Sequence, residues 1–195
     1  DDLKALAPLQ NPAEALGMRI AKELLPKATN VAVFDTAFHQ TIPEEAYIYP
    51  VPYEWYEKYG IRKYGFHGTS HKYLSQKVSE ILDRRDLKII TCHIGSGSSI
   101  SAIKDGVCID TSMGFTPIAG IAMGTRCGDI DPSIIEYIMN KTGMSISQIM
   151  NELNKNSGLL GISGISSDGR DIEEGVHNNN ERAILANNIF IRKIA

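Results

Sequence analysis

Cysteine, excess positive charge and long apolar runs are all scarce in this chain of 195 residues. Its three cysteines, Cys92, Cys108 and Cys127, are odd in number and lack zinc-type spacing. That leaves neither a disulfide framework nor a structural zinc site, and reduced, buried thiols are expected. Twenty Lys and Arg against 23 Asp and Glu give a net charge of -3, without the clustered basic footprint that holds a nucleic-acid backbone. No apolar run approaches the roughly 20 residues that cross a bilayer. The start, Asp1-Asp2-Leu3-Lys4, has neither the basic nor the apolar region of a signal peptide. The expectation is a cytoplasmic protein with no nucleic-acid and no membrane partner. An initiator methionine is missing and residues 189–195 stop inside an amphipathic pattern, so both ends are expected to be cut.

What is present is a core-forming composition, 43% hydrophobic and 22% charged, as expected of a soluble folded chain. Apolar residues recur at helical spacing over 12–25, and Pro26 follows. Residues 31–34, rich in β-formers, predict a short buried strand ending at Asp35, and α/β folds gather ligands at such strand ends. Residues 43–64 are rich in Pro and Tyr and predict an irregular, ordered connection. Thr69 or Ser70 is placed to cap a helix running to Leu82. Residues 87–92 predict a buried strand, 99–103 and 107–111 alternate, and Lys104-Asp105-Gly106 signals the turn between them. Three consecutive antiparallel strands result. Helices follow from Pro132 to a stop at Gly143, over 147–154 and over 181–193, with 158–175 read as turns.

The chemistry-bearing residues cluster in loops. Gly95-Ser96-Gly97 after a strand invites a dinucleotide-binding reading, but that fingerprint needs a helix directly after the glycines, and here a strand is predicted. The alternative is a phosphate loop on a β-hairpin, where bare amides and the Ser96, Ser98 and Ser99 hydroxyls face phosphate oxygens. No Gly-x4-Gly-Lys-Ser/Thr motif occurs, which argues against a Walker-type site. Arg126 lies between Gly124 and Gly128, where a planar, permanent cation can bind two oxygens of a transferring phosphoryl group; a surface ion pair with Asp129 or Asp131 is the alternative. His67 and His71 are four apart, so zinc is conceivable, though no third ligand is evident. The preferred reading has His67 donating to a phosphoryl oxygen and His71 structural. Asp35 is either a local helix cap or a carboxylate that orients the attacking oxygen or helps hold Mg2+. The 165–171 loop either contacts a nucleoside or is a solvated turn.

Four segments carry a resemblance: Val33-Phe34-Asp35-Thr36-Ala37-Phe38-His39-Gln40-Thr41, Tyr64-Gly65-Phe66-His67-Gly68-Thr69-Ser70-His71, Asp110-Thr111-Ser112-Met113-Gly114-Phe115-Thr116-Pro117 and Met123-Gly124-Thr125-Arg126. In this order they resemble the motifs of the acetate and propionate kinase family, over nearly the whole chain. The resemblance implies an α/β, ribonuclease H-like fold of the actin-like ATPase kind: a mixed sheet with a three-stranded antiparallel start, flanked by helices. Residues 1–36 would end the N-terminal domain, and 37–195 would form most of the C-terminal nucleotide-binding domain. It also implies reversible phosphoryl transfer between ATP and acetate or propionate, with Mg2+ or Mn2+, in an intact homodimeric enzyme. Asp35 would be the catalytic carboxylate, with His67 and Arg126 stabilising the transferring group. His93, Ile94, Gly95, Ser96 and Gly97 would bind the nucleotide phosphates, and Asp168, Gly169 and Arg170 the adenosine. Leu9, Phe66 and Pro117 would line the acyl pocket. Gln10, Ser96 and Gly169 depart from the family pattern, which implies weaker phosphate and base contacts. The family's further N-terminal Asn and Arg, and its C-terminal nucleotide loop and Glu, have no counterpart.

Overall fold

The computed structural model describes residues 11–195. Helix α1 spans Asn11–Leu24 and buries no residue. Residues 31–34 do not form the predicted strand: Val31, Val33 and Phe34 are exposed, Phe34 at 66%. β-propensity needs a partner strand to act on, and among the described residues none pairs with this segment.

Past Thr36 the chain packs. A 3-10 turn over Ala37–Thr41 and the short helices α2 (Glu44–Tyr47) and α3 (Glu54–Tyr59) fill the irregular region. Helix α4, Gly68–Leu82, leads to β1 (Lys88–Ile94), β2 (Ser98–Lys104) and β3 (Val107–Thr111). The strands pair antiparallel in chain order, β1 with β2 from Lys88 opposite Lys104 to Ile94 opposite Ser98. β2 and β3 close through Asp105 and Gly106, at φ 52 and 80, the backbone of a two-residue hairpin turn. This is the antiparallel start expected of the sheet. Strand β1 is not buried as predicted. Its one face packs on α4, while Ile90 and Cys92 lie exposed on the other, so only Cys108 among the three thiols is fully buried.

Beyond the sheet come α5 (Ser133–Thr142), stopped by Gly143 at φ 73, and α6 (Ile146–Lys155), opened by a reciprocal Ser145–Gln148 capping box. The stretch read as turns holds two helices, α7 (Gly158–Ser163) and α8 (Gly169–His177), before α9 (Glu181–Ile194). Not every glycine there is a breaker. Gly158 starts α7 at φ +60, and a Cβ on it would run into the Met123 carbonyl, so the glycine permits a close approach. Leu159, Ile172, Ala183 and Ala186 form one buried cluster that joins α7, α8 and α9.

Candidate active site

The β1–β2 hairpin anchors the site. A three-residue loop, Gly95-Ser96-Gly97, connects the strands, and Ser98 continues as strand rather than helix. That geometry excludes the dinucleotide fingerprint. The predicted use of every serine and glycine needs correction. The Gly95 amide bonds to the Gly97 carbonyl at 3.0 Å, and the Ser98 hydroxyl donates to the Gly95 carbonyl at 3.1 Å. Ser99 is buried and engaged by two histidines. Ser96 remains exposed at the tip, and its amide and that of Gly97 have no backbone acceptor among the described residues.

Arg126 reaches the hairpin from a tight turn. The Met123 amide bonds to the Arg126 carbonyl at 3.0 Å, and the Ser157, Leu159 and Leu160 amides at the start of α7 bond to the carbonyls of Thr125, Met123 and Gly124. The loop is therefore latched rather than mobile. Arg126 is only 9% exposed, and its Nη1 donates to the Pro117 carbonyl at 2.6 Å. It forms no ion pair among the described residues. Asp129 and Asp131, the partners considered from sequence, accept instead from the Gly120 and Ser133 amides. Burial lowers the pKa of Arg126, but a guanidinium stays charged. A nearly buried cation without a carboxylate is costly unless an anion joins it. Its Nη2 lies so close to Gly97 that a Cβ there would collide with it, and the same Cβ would lie 3.4 Å from His67 Cε1.

His67 occupies the left-handed region at φ 57, a strained conformation for a residue with a Cβ. Asp35 holds it there. The Asp35 carboxylate accepts from the His67 amide at 2.5 Å, and its carbonyl accepts from the Gly68 amide at 2.9 Å. Thus α4 opens at Gly68 with a capping carboxylate supplied from 32 residues upstream, at the positive end of the helix, and not at Thr69 or Ser70. Asp35 itself is exposed.

Four of the five histidines gather here. The His67 ring stacks on His93 with centroids 3.9 Å apart, and His71 lies edge-on to His39 and to His93. His93 Nδ1 meets the Ser70 hydroxyl at 2.9 Å. Burial, then repulsion from His93, push His67 down to about 4 against the pull of Asp35, and burial followed by His39 does the same to His71. Both are neutral at pH 7. Among the described residues no three His, Cys, Asp or Glu gather as metal ligands, and both ring nitrogens of His71 are taken up by the Thr91 and Ser99 hydroxyls.

The acyl-pocket residues fare unevenly. Phe66 adjoins His67 and accepts from His39 Nε2 at 2.8 Å through its carbonyl. Pro117 is tied to Arg126, and Leu9 lies outside the described residues. On the other side, Gly124 is wedged between the Ser96 and Ser167 carbonyls, which brings the 166–168 loop to the hairpin. Asp168 caps α8 and pairs with Arg170, which holds the carboxyl down at about 2. Gly169 edges a 450 Å³ cleft lined by Leu159, Ile172, Val176 and Phe190. A larger cleft of 530 Å³, lined by Tyr49, Ile90, Asp129 and Lys193, contains none of the residues expected to act in catalysis, nucleotide binding or the acyl pocket.

Sequence reasoning missed Ser99, Thr91, Ser70 and His39 as members of the cluster. The available signal was the run Ser98-Ser99-Ile100-Ser101: buried strand hydroxyls require partners.

The model of the Acetokinase family matches residues 1–195. The chain is 59% identical to the acetate kinase of Bacillus subtilis (strain 168), over 100% of this chain and 50% of that protein. It is also 58% identical to the acetate kinase of Bacillus velezensis, with the same coverage. Among solved structures, a propionate kinase from Francisella tularensis superposes with a TM-score of 0.96 at 49% identity, over 99% of this chain and 50% of the other. The Porphyromonas gingivalis acetate kinase does so with a TM-score of 0.91 at 48% identity, over 99% and 49%. The chain spans about half the length of the curated relatives it matches.

Proposed function

Since the chain belongs to the acetokinase family and has its actin-like ATPase fold, we propose that it supplies the phosphoryl-transfer centre of an acetate kinase. The acetate oxygen attacks the γ-phosphorus of ATP, the bond to the bridging oxygen of ADP breaks, and acetyl phosphate and ADP result; the reverse step regenerates ATP. Little covalent work falls to the protein, so placement and charge carry the catalysis. The single observation behind this reading is Arg126, a nearly buried cation without an acidic partner among the described residues, set against Gly97 and close to a neutral histidine.

In this reading Arg126 takes two equatorial oxygens of the migrating group and His67 donates to a third. The Ser96 and Gly97 amides, with His93 and Ile94 behind them, cradle the nucleotide phosphates. Gly95 shapes that loop. Asp35 has one carboxylate oxygen on the His67 amide, which leaves the other for a cation. Magnesium takes one or two carboxylates plus phosphate oxygens and water, so these residues fit Mg2+ or Mn2+, which neutralises phosphate charge when bound. Asp168, Gly169 and Arg170 flank the nucleoside, and Phe66, Leu9 and Pro117 the acyl group. One methylene changes binding by only about 1–3 kcal/mol, so propionate is the alternative acceptor. The exposed apolar residues before Asp35 support a division near residue 36 between two domains. The protein works in the cytoplasm, as a homodimer when intact.

Trapping acyl phosphate as hydroxamate with ATP, Mg2+ and acetate tests the assignment in the protein that carries this chain. Arg126→Ala lowers the rate by at least about 100-fold; near-normal turnover contradicts the role. The half-length coverage favours a second reading for the chain alone, nucleotide binding without turnover. ATP-Mg2+ titration beside the same assay separates the two.

A further inference from the structure

Three hydrogen bonds run from the sheet to the candidate catalytic histidine. His67 Nδ1 meets the Ser99 hydroxyl at 2.8 Å, the same hydroxyl meets His71 Nε2 at 2.8 Å, and His71 Nδ1 meets the Thr91 hydroxyl at 2.7 Å. His71 and Ser99 have no exposed surface, and Thr91 is 5% exposed. Each hydroxyl has one proton and each neutral imidazole has one, so the chain can run in only two directions.

Run outward, the Thr91 hydroxyl donates to His71 Nδ1, His71 Nε2–H donates to Ser99, and Ser99 donates to His67 Nδ1. Every proton in the relay then has an acceptor, and His67 presents Nε2–H beyond it. Run inward, His67 Nδ1–H donates to Ser99, Ser99 to His71 Nε2, and His71 Nδ1–H to Thr91. The Thr91 proton is then buried with no acceptor among the described residues, which leaves a desolvated donor unsatisfied. His67 would also turn a bare lone pair toward any phosphoryl oxygen.

We propose that Thr91, His71 and Ser99 are positioning residues that lock His67 in its Nε2–H form, ready to donate a hydrogen bond to an anion beside Arg126. The lone-pair form would repel the same ligand. The sheet thereby sets the polarity of a catalytic donor through three side chains that never touch substrate. The depressed titration of both rings agrees, since a protonated imidazole has no free nitrogen to accept with. The catalytic part of this inference rests on the acetate kinase reading, whereas the tautomer does not.

Long-range 1H–15N correlation on the ¹⁵N-histidine-labelled chain at pH 7 tests it without any activity measurement. The five histidines keep the spectrum small. Expected are an unprotonated Nδ1 and a protonated Nε2 for both His67 and His71. An Nδ1–H form of His67 in the unaltered chain overturns the proposal outright, and that result needs no variant to fold. Ser99→Ala should leave His67 averaging between forms, with Ser99→Thr restoring the single form; an unchanged His67 in Ser99→Ala also overturns it. In the active protein, Ser99→Ala should lower kcat about tenfold with a smaller change in the KM for acetate, as for an interaction made in the transition state. A locked tautomer together with full activity in Arg126→Ala would sink the kinase reading and leave the relay standing.

Discussion

Arg126 and Arg170 look alike on paper: each is an arginine within two residues of a glycine, in a stretch that sequence alone reads as a polar loop. In space they differ. Arg126 is 9% exposed with no carboxylate partner among the described residues, while the Arg170 side chain is 89% exposed and bonded to Asp168 at 2.6 Å. An exposed pair contributes little and asks for nothing further. A buried, unpaired guanidinium carries an unmet electrostatic demand that only an anion can satisfy. The difference is why the proposed charge-stabilising end of the site is assigned to Arg126 and its rim to Arg170.

The largest test of that contrast is charge-conserving. Arg126→Lys should lower turnover by about 100-fold, because a point-like ammonium cannot hold two oxygens at once, whereas Arg170→Lys should change the KM for ATP by no more than a few fold; matched steady-state assays compare them. The neighbouring glycines give the next contrast. A Cβ on Gly97 meets the Arg126 guanidinium, while one on Gly169 meets nothing within 4 Å. Gly97→Ala should therefore cost about tenfold or more in kcat, and Gly169→Ala, in the first turn of α8, should keep activity and raise thermal stability slightly.

Acid separates the two ends as well. The folded pKa values of His67 and His71 lie near 4, below the ordinary 6.5, so the unfolded chain takes up protons first as the pH falls. Stability is complete above about 6.5 and declines as the pH falls to about 4. Asp168 loses its own contribution only as the pH falls toward 2. Urea denaturation at pH 7, 5.5 and 4.5 should show the histidine loss, and Ser99→Ala should alter it. The smallest effect is Asp168→Ala. It removes the α8 cap, which should lower the thermal midpoint slightly, and leaves acyl phosphate formation at saturating ATP nearly intact.

Much of the fold was legible because its signals are local. Lys104-Asp105-Gly106 marked a hairpin, Gly143 stopped α5, and periodicity located α9. What failed depended on partners. Residues 31–34 read as strand from their own preferences, yet pairing makes a strand. Gly158 and Gly164 read as breakers, although the first permits contact with the Met123 carbonyl and the second ends α7. In the site, Asp35, His67, Arg126 and Gly97 were visible as residue types in suggestive loops. The function of Ser99 was not, because both of its bonds cross about 30 residues of sequence.

A structure of this protein with ADP, Mg2+, acetate and a planar metal-fluoride mimic of the phosphoryl group tests the central claim most directly. The mimic should lie within hydrogen-bond reach of the Arg126 guanidinium and His67 Nε2, beside Gly97. A mimic held against Arg170 instead, with Arg126 turned onto a carboxylate, would contradict it.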